Sequence, residues 1–358
     1  MRRSLLSATG TVLHPRTAGA CARLSKPHPR LHTLSRTMAT SLTGSSSTTS
    51  SSSYSRAPAP SAPTPAPPNP ATNFATASAL APHIPRNRLR SLLEHGHTVV
   101  GTMLADSTSP ASLRTLHNAG VDFVIIDNEH GMYTNRQLSD LCTHAVLLGL
   151  TPLVRIPDLQ YHLVAQSLDG GAQGLVVPRI YTAEEVVSVV KWAKYPPVGV
   201  RGNAQWRAYS GWTGGPVVDA MSTMNREVLL LFQIETKESV ERMDELLSVA
   251  GVDGVLVGPN DLSINLGTPD DWNSTAMQSA MAECVRLCER KGLIAGIHVS
   301  DSGQSIEYAK KGFQLVSANS EMGFMAGAAN AHVTQVKAAL GDKAVDGTWR
   351  GRTGKSGY

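Results

Sequence analysis

Eight short apolar runs alternate with amphipathic stretches from about residue 88 onward, and this alternation constrains the fold more than any other feature. The runs are Val99–Leu104, Phe123–Asp127, Pro152–Ile156, Gly174–Pro178, Leu229–Ile234, Gly254–Gly258, Leu293–His298 and Gln314–Ser317. Most are apolar on both faces, as expected of parallel strands covered by helices. The segments between them carry apolar residues at helical spacing. Leu138–Leu148 is followed by Gly149 as a C-cap; Glu184–Trp192 and Val240–Val249 repeat the pattern, and Met277–Cys288 stops at Lys291-Gly292. Eight strand–helix units in roughly 250 residues predict an α/β chain folded as a (β/α)8 TIM barrel with a parallel eight-stranded core. An open doubly wound sheet is the alternative, but no glycine-rich dinucleotide turn follows the first run.

The barrel is expected over residues 85–345, with a flexible tail at 346–358. The first 85 residues hold eight basic side chains (Arg2, Arg3, Arg16, Arg23, Lys26, Arg30, Arg36, Arg56) and no acid; the first acid is Glu94. Removing those eight from the formal +4 leaves about −4 for the body, so the basic balance belongs to the leader. No Lys/Arg stripe with interleaved aromatics appears in the body, which argues against a nucleic-acid partner. No apolar run approaches membrane-spanning length, so no membrane partner is expected. Residues 1–37 have the Arg-rich, Ser/Thr-rich, acid-free composition of a mitochondrial transit peptide, which predicts the mitochondrial matrix. Met38 offers a second start and a cytoplasmic form. Residues 38–84 are dominated by Ser, Thr, Pro and Ala, too poor in large apolar groups to offset the entropy of ordering, and are expected to be a disordered linker. Among the four cysteines, Cys284 and Cys288 share a helical face without a complementary Cys/His pair, so neither a disulfide scaffold nor a zinc site is expected.

The connection between the fourth and fifth runs is unusually long. Its aromatics and prolines, from Tyr195 through Met224, suggest an ordered lid or rim on the strand-to-helix side of the barrel.

Polar residues cluster where strands end, which is where a barrel of this kind builds its active site. The second run ends Asp127-Asn128-Glu129-His130, the third reaches Arg155, the fifth ends Gln233-Ile234-Glu235, and the sixth runs out through Gly258-Pro259-Asn260-Asp261. Glu235 and Asp261 form a hard-oxygen pair suited to Mg²⁺ or Mn²⁺, although acids at a barrel rim also form plain salt bridges. His130 suits proton transfer near neutral pH or a capping role. Asp169 could orient it, or simply close the Leu168-Asp169-Gly170-Gly171 turn. Arg155 would hold an anionic carboxylate or enolate. His298, near the end of the seventh run, reads as a packed or supporting residue. Glu129, next to His130, could be a ligand, but alternation along the strand would turn it away from the pocket.

At these positions the chain closely resembles the HpcH/HpaI aldolase family, class II pyruvate aldolases that cleave 2-oxo-4-hydroxy acids, over about residues 88–340. Ile126-Asp127-Asn128-Glu129-His130 resembles the family's Asp-Gly-Glu-His turn with its catalytic histidine, and Val154-Arg155 its transition-state arginine. Asp169, fourteen residues beyond Arg155, resembles the aspartate that raises the histidine's basicity. The run from Tyr195 to Gly202 matches a further signature. Gln233-Ile234-Glu235-Thr236 resembles the substrate-binding glutamine and first metal ligand. Gly251 to Ser263 resembles the segment carrying the second metal ligand, Asp261, and a substrate-holding amide near Asn260. Three departures stand out: Asn128 replaces a glycine, Asn203-Ala204-Gln205 follows Gly202 where glycines are usual, and Ser317-Ala318-Asn319 stands where a glycine is usual.

The resemblance implies reversible cleavage of a 2-oxo-4-hydroxy acid to pyruvate and an aldehyde. His130, Arg155 and Asp169 would be catalytic; Gln233, Asn260, Asp261 and Arg155 would bind substrate; Glu235 and Asp261 would hold Mg²⁺ or Mn²⁺ (Co²⁺ is an option), with no organic cofactor. It also implies a homo-oligomer, often a hexamer, with the site near a subunit boundary. No lysine on an inward strand position occurs in these motifs, which disfavours a Schiff base. Two alternatives remain at this point: another enolate reaction, such as oxaloacetate decarboxylation or acyl-CoA lyase chemistry, and a silent barrel acting as a binding module.

Overall fold

The computed structural model describes residues 81–343. The expected leader, residues 38–80 of the linker and the tail at 346–358 lie outside the described residues.

The eight runs form eight parallel strands: β1 Val99–Leu104, β2 Phe123–Asp127, β3 Thr151–Arg155, β4 Gly174–Val177, β5 Leu229–Ile234, β6 Gly254–Val257, β7 Ile294–Val299 and β8 Leu315–Ser320. Each pairs with its neighbour in sequence and β8 closes on β1, giving the barrel expected from the alternation. β8 extends three residues beyond the predicted Ser317. Asn319 accommodates this with a left-handed backbone (φ +55°), a conformation asparagine tolerates better than most residues. The glycine usual in this stretch is therefore not required.

Side-chain alternation divides the apolar residues into two layers. Val99, Phe123, Ile125, Leu153, Val176, Leu229, Leu231, Leu256 and Leu315 fill one buried cluster, which the helix Arg88–Glu94 joins through Leu89. Leu104, Val124, Ile126, Val154, Leu175 and Val177 face the other way, into the larger cluster shared with the helices. Burial on both faces is why the strands read as continuous apolar runs.

The helices start and stop where their caps dictate. Thr134 and Gln137 form a reciprocal capping box at the head of Asn135–Leu148, and Gly149 ends it in the left-handed conformation (φ +80°). Thr182 and Glu185 do the same for Ala183–Ala193. The expected helix over Val240–Val249 is instead two short pieces, Lys237–Glu241 and Met243–Leu246. They are separated at Arg242 (φ −104°, ψ 10°), whose guanidinium reaches Glu245 and the Tyr181 carbonyl. Among the described residues, no helix is long and apolar enough to cross a membrane.

Two further expectations are corrected. Residues 81–84, assigned to the linker, are packed: Ala81 and Ile84 are buried in the outer cluster, and the Ala81 amide donates to Thr223 Oγ1 at 2.7 Å. The long connection before β5 is not a strand-to-helix lid. It follows the helix Ala183–Ala193, and its last third is itself a helix, Val217–Glu227. Its first residue, Lys194, donates from Nζ to the Val228 carbonyl (2.8 Å) just ahead of β5, which fixes that end at the N-terminal side of the barrel. The segment then runs along the helix Tyr161–Asp169, where the Gly202 amide donates to the Tyr161 hydroxyl.

Candidate active site

The C-terminal strand ends bring six polar side chains together. β2 and β3 place Asp127 opposite Arg155 in register. The guanidinium donates to the carboxylate through Nε–Oδ1 and Nη2–Oδ2, both 2.8 Å, and both residues are buried. Burial alone would raise the Asp127 pKa, but the two bonds and the charge of Arg155 outweigh it and hold the carboxyl below its usual range. Asp127 Oδ1 also accepts the amides of Glu129 (3.1 Å) and His130 (3.3 Å). This turn ends the strand, so alternation no longer applies beyond Asp127. A Cβ at Gly131 would lie 2.2 Å from the Asp127 carbonyl, so only glycine fits the return. Asn128 keeps an ordinary backbone here, so replacing the usual glycine makes no left-handed demand on it.

Glu129 consequently turns inward, contrary to the strand-alternation expectation. Its carboxylate is 7 % exposed and meets two arginines: Arg155 Nη1 at 3.3 Å and Arg179 Nη1 at 2.9 Å. Arg179, two residues beyond β4, was not singled out in the sequence. The criterion that selected the others, a polar residue just past a strand end, applies to it equally. Its backbone amide donates to Glu235 Oε1 at 2.7 Å.

Glu235 follows β5 and is buried. Its second oxygen accepts from Gln233 Nε2 at 2.6 Å. Burial, together with the negative charges of Glu129 and Asp261, pushes its pKa up to about 7, against the opposing Arg179 amide and Arg155. A Cβ on Gly258 would come within 3.2 Å of Glu235 Oε2, so this glycine leaves room for the β6 loop beside the carboxylate. Asn265, also missed in the sequence, donates to the backbone carbonyls of Glu235 (3.3 Å) and Asp261 (2.9 Å), tying the two segments together. Its position as the last residue of the helix Pro259–Asn265 carries no signal that sequence reading uses.

The remaining candidates divide. Asp261 is exposed and close enough to act on the charge of Glu235; Asn260 is half-buried beside it. His130 is exposed at the β2 turn. Asp169 is not brought to it: as the last residue of Tyr161–Asp169, it accepts from Arg201 Nη2 at 2.6 Å. Arg201 is itself buried between the Tyr195 and Tyr209 rings. Within one chain, Asp169 therefore anchors the long connection. His298 lies beneath the site, its Nδ1 2.9 Å from Ser317 Oγ; burial, reinforced by Arg155, lowers its pKa to about 4, so it is neutral at physiological pH.

Among the described residues, no three His, Cys, Asp or Glu side chains converge as a cation cage. The donor set that fits a cation is Glu235 and Asp261, a pair typical of a hard divalent ion that keeps water or substrate oxygens in its other positions. The buried Gln233 Oε1, which has no hydrogen-bond partner, marks unmet polar demand in the same place.

A barrel with this arrangement at its mouth defines a class, and comparison supplies the family. Residues 102–328 match the family model HpcH/HpaI aldolase/citrate lyase, and the chain belongs to that family. It is an aldolase, a carbon–carbon lyase. The chain is 32 % identical over 235 residues to the hydroxypyruvate/pyruvate aldolase of Roseovarius nubinhibens, covering 65 % of this chain and 90 % of that one. It is 33 % identical over 216 residues to the 2-keto-3-deoxy-L-rhamnonate aldolase of Salmonella gallinarum, covering 60 % and 80 %. The crystal structure of an HpcH/HpaI aldolase from Desulfitobacterium hafniense superimposes with a TM-score of 0.67 at 31 % identity, covering 70 % of this chain and 96 % of that one.

Proposed function

We propose that the chain cleaves a 2-oxo-4-hydroxy acid reversibly to pyruvate and an aldehyde, with a divalent cation, Mg²⁺ or Mn²⁺, held by Glu235 and Asp261. The observation that carries this reading is the convergence of Arg155, Glu235 and Gln233 at the barrel mouth beside Asp261. A cation bound there would withdraw charge from the 2-oxo acid's oxygens.

The chain's own residues account for the rest. His130, exposed at the mouth, takes the proton of the substrate's 4-hydroxyl. The C3–C4 bond then breaks; its electrons pass towards the C2 oxygen, the aldehyde leaves, and a proton returned to C3 completes pyruvate. Arg155 is placed to hold the negative charge on that oxygen. Of its five N–H groups, three face Asp127 and Glu129, which leaves two for substrate. Gln233 fixes one oxygen of Glu235 and keeps its own carbonyl free towards the site. Asn260 lies beside Asp261 at the same mouth, in position to contact the 2-oxo acid.

A homo-oligomer is part of the reading. No residue of the helix Glu321–Leu340 is buried, and Met322, Phe324, Met325, Val333, Val336 and Leu340 stand open along it. Apolar surface on that scale favours a protein partner, and a second copy of the chain would cover it. Import into the mitochondrial matrix rests on the composition of residues 1–37, and a reporter fused behind that segment would test it.

The test of activity is product analysis. The full chain is supplied with Mn²⁺ and a panel of racemic 4-hydroxy-2-oxo acids, and separately with oxaloacetate. Pyruvate with an equimolar aldehyde supports aldol cleavage. Carbon dioxide from oxaloacetate with no cleavage of the panel would replace this reading with decarboxylation.

A further inference from the structure

We propose that Arg179 is a positioning residue for this site, fixing Glu235 through its backbone and Glu129, and hence Arg155, through its side chain. The inference rests on the reading that Glu235 and Arg155 act on the 2-oxo acid.

The geometry has two halves. Arg179 has a left-handed backbone (φ +49°), which is sterically disfavoured for any residue with a Cβ and is found here immediately beyond a strand end at the mouth. That conformation aims its amide at Glu235 Oε1 (2.7 Å), while Gln233 holds Oε2 (2.6 Å), so both carboxylate oxygens are oriented by neighbours. Glycine would deliver the same amide without strain. An arginine in its place points to a use for the side chain.

That use is visible. Arg179 Nη1 meets Glu129 Oε1 at 2.9 Å, and its Nη2 donates to the Pro157 carbonyl in the loop after β3. Glu129 Oε2 faces Arg155 Nη1. Glu129 is thus a bridge between arginines carried by β3 and by the β4 loop. Removing the outer arginine leaves the inner carboxylate free to swing and to take Arg155 with it. The Arg179 side chain is 48 % exposed, which would suit an ordinary surface ion pair of little consequence. Its partner is not ordinary, because Glu129 is almost wholly buried against Arg155.

The substitution Arg179→Gly keeps the amide, relieves the backbone and deletes only the guanidinium. Three readouts on the full-length protein separate the possibilities: Mn²⁺ affinity by calorimetry, kcat and KM for pyruvate release, and a crystal structure of the variant. The expected result is an unchanged or higher Tm and Mn²⁺ affinity within about threefold of wild type, because the amide remains. The kcat/KM should fall by about 10- to 100-fold, the scale of a displaced catalytic group, with Glu129 and Arg155 seen reoriented. Glu129→Gln should fall similarly, and the double variant should be no worse than either single one, because both break one connected unit. Wild-type kinetics in Arg179→Gly, independent losses that multiply in the double variant, or unmoved Glu129 and Arg155 side chains would each overturn the proposal. The crystallographic arm stands even if wild type releases no pyruvate, in which case it is the aldol reading that has failed.

Discussion

Asp127 and Arg155 are locked together twice, once as paired positions of β2 and β3 and again by two parallel hydrogen bonds of 2.8 Å between carboxylate and guanidinium. Strand pairing sets where the two side chains stand, and the bidentate fork sets the plane of the guanidinium. Glu129 at Nη1 completes the set, and Arg155 would present its remaining N–H groups to substrate from the orientation that the two carboxylates fix together. Removing one partner of a buried pair costs about 3–5 kcal/mol when the other is left unmatched; Glu129 still faces Arg155 here, so the lower end of that range applies. Asp127→Ala should destabilise the protein by that order in urea unfolding. A loss below about 1 kcal/mol, within the usual range for exposed pairs, would show that the pair is not structurally important.

The same pair predicts a pH signature. The folded-state pKa of Asp127 lies below its usual 3.8, so its contribution is present above the unfolded value and is lost as pH falls through the folded one. The stability gap between wild type and Asp127→Ala should stay constant from about pH 8 to 5 and start to close only below about pH 4. A gap that narrows already between pH 7 and 5 would contradict the assignment.

His130 is exposed and borders the site without supporting the fold. His130→Ala should lower kcat by about 10²- to 10⁴-fold, the usual range for a lost general base, while Tm moves by less than a degree or two. Kinetics and a thermal melt on one preparation decide it. A large fall in Tm would recast the histidine as a capping residue.

The unburied helix at Glu321–Leu340 carries the prediction for assembly. Met325→Lys together with Val333→Lys places charge on its open apolar surface and should shift the protein from oligomer to monomer in light scattering. An oligomer that survives both substitutions must be held by another surface.

Much of the barrel was legible because β2, β3 and β5 are buried along their whole length, so they are largely apolar until the polar residues near their C-terminal ends. The same logic located Arg155, Gln233 and Glu235, polar residues placed where such runs end. It failed where position depends on chain direction in space. Asp169 stands fourteen residues beyond Arg155, but spacing does not say that the intervening helix delivers it to Arg201. The long connection looked like a lid because its count of residues does not reveal that a helix has already returned to the other end of the barrel. Glu129 was misjudged because alternation was carried past Asp127, where the amide-capped turn abolishes it. Arg179 stands two residues past β4 and meets the same strand-end criterion; only its left-handed backbone, and the bond to Glu235 that goes with it, leaves no trace in the residue order.

Whether cleavage depends on a divalent cation held at Glu235 is decided by one titration. Pyruvate release by the full chain is followed as EDTA strips the protein and Mn²⁺ is added back, with Glu235→Gln alongside. Activity should disappear with EDTA, return with Mn²⁺ in wild type, and not return in Glu235→Gln even though that variant remains folded. Activity that persists in excess EDTA, or that Glu235→Gln recovers fully with Mn²⁺, would contradict that dependence.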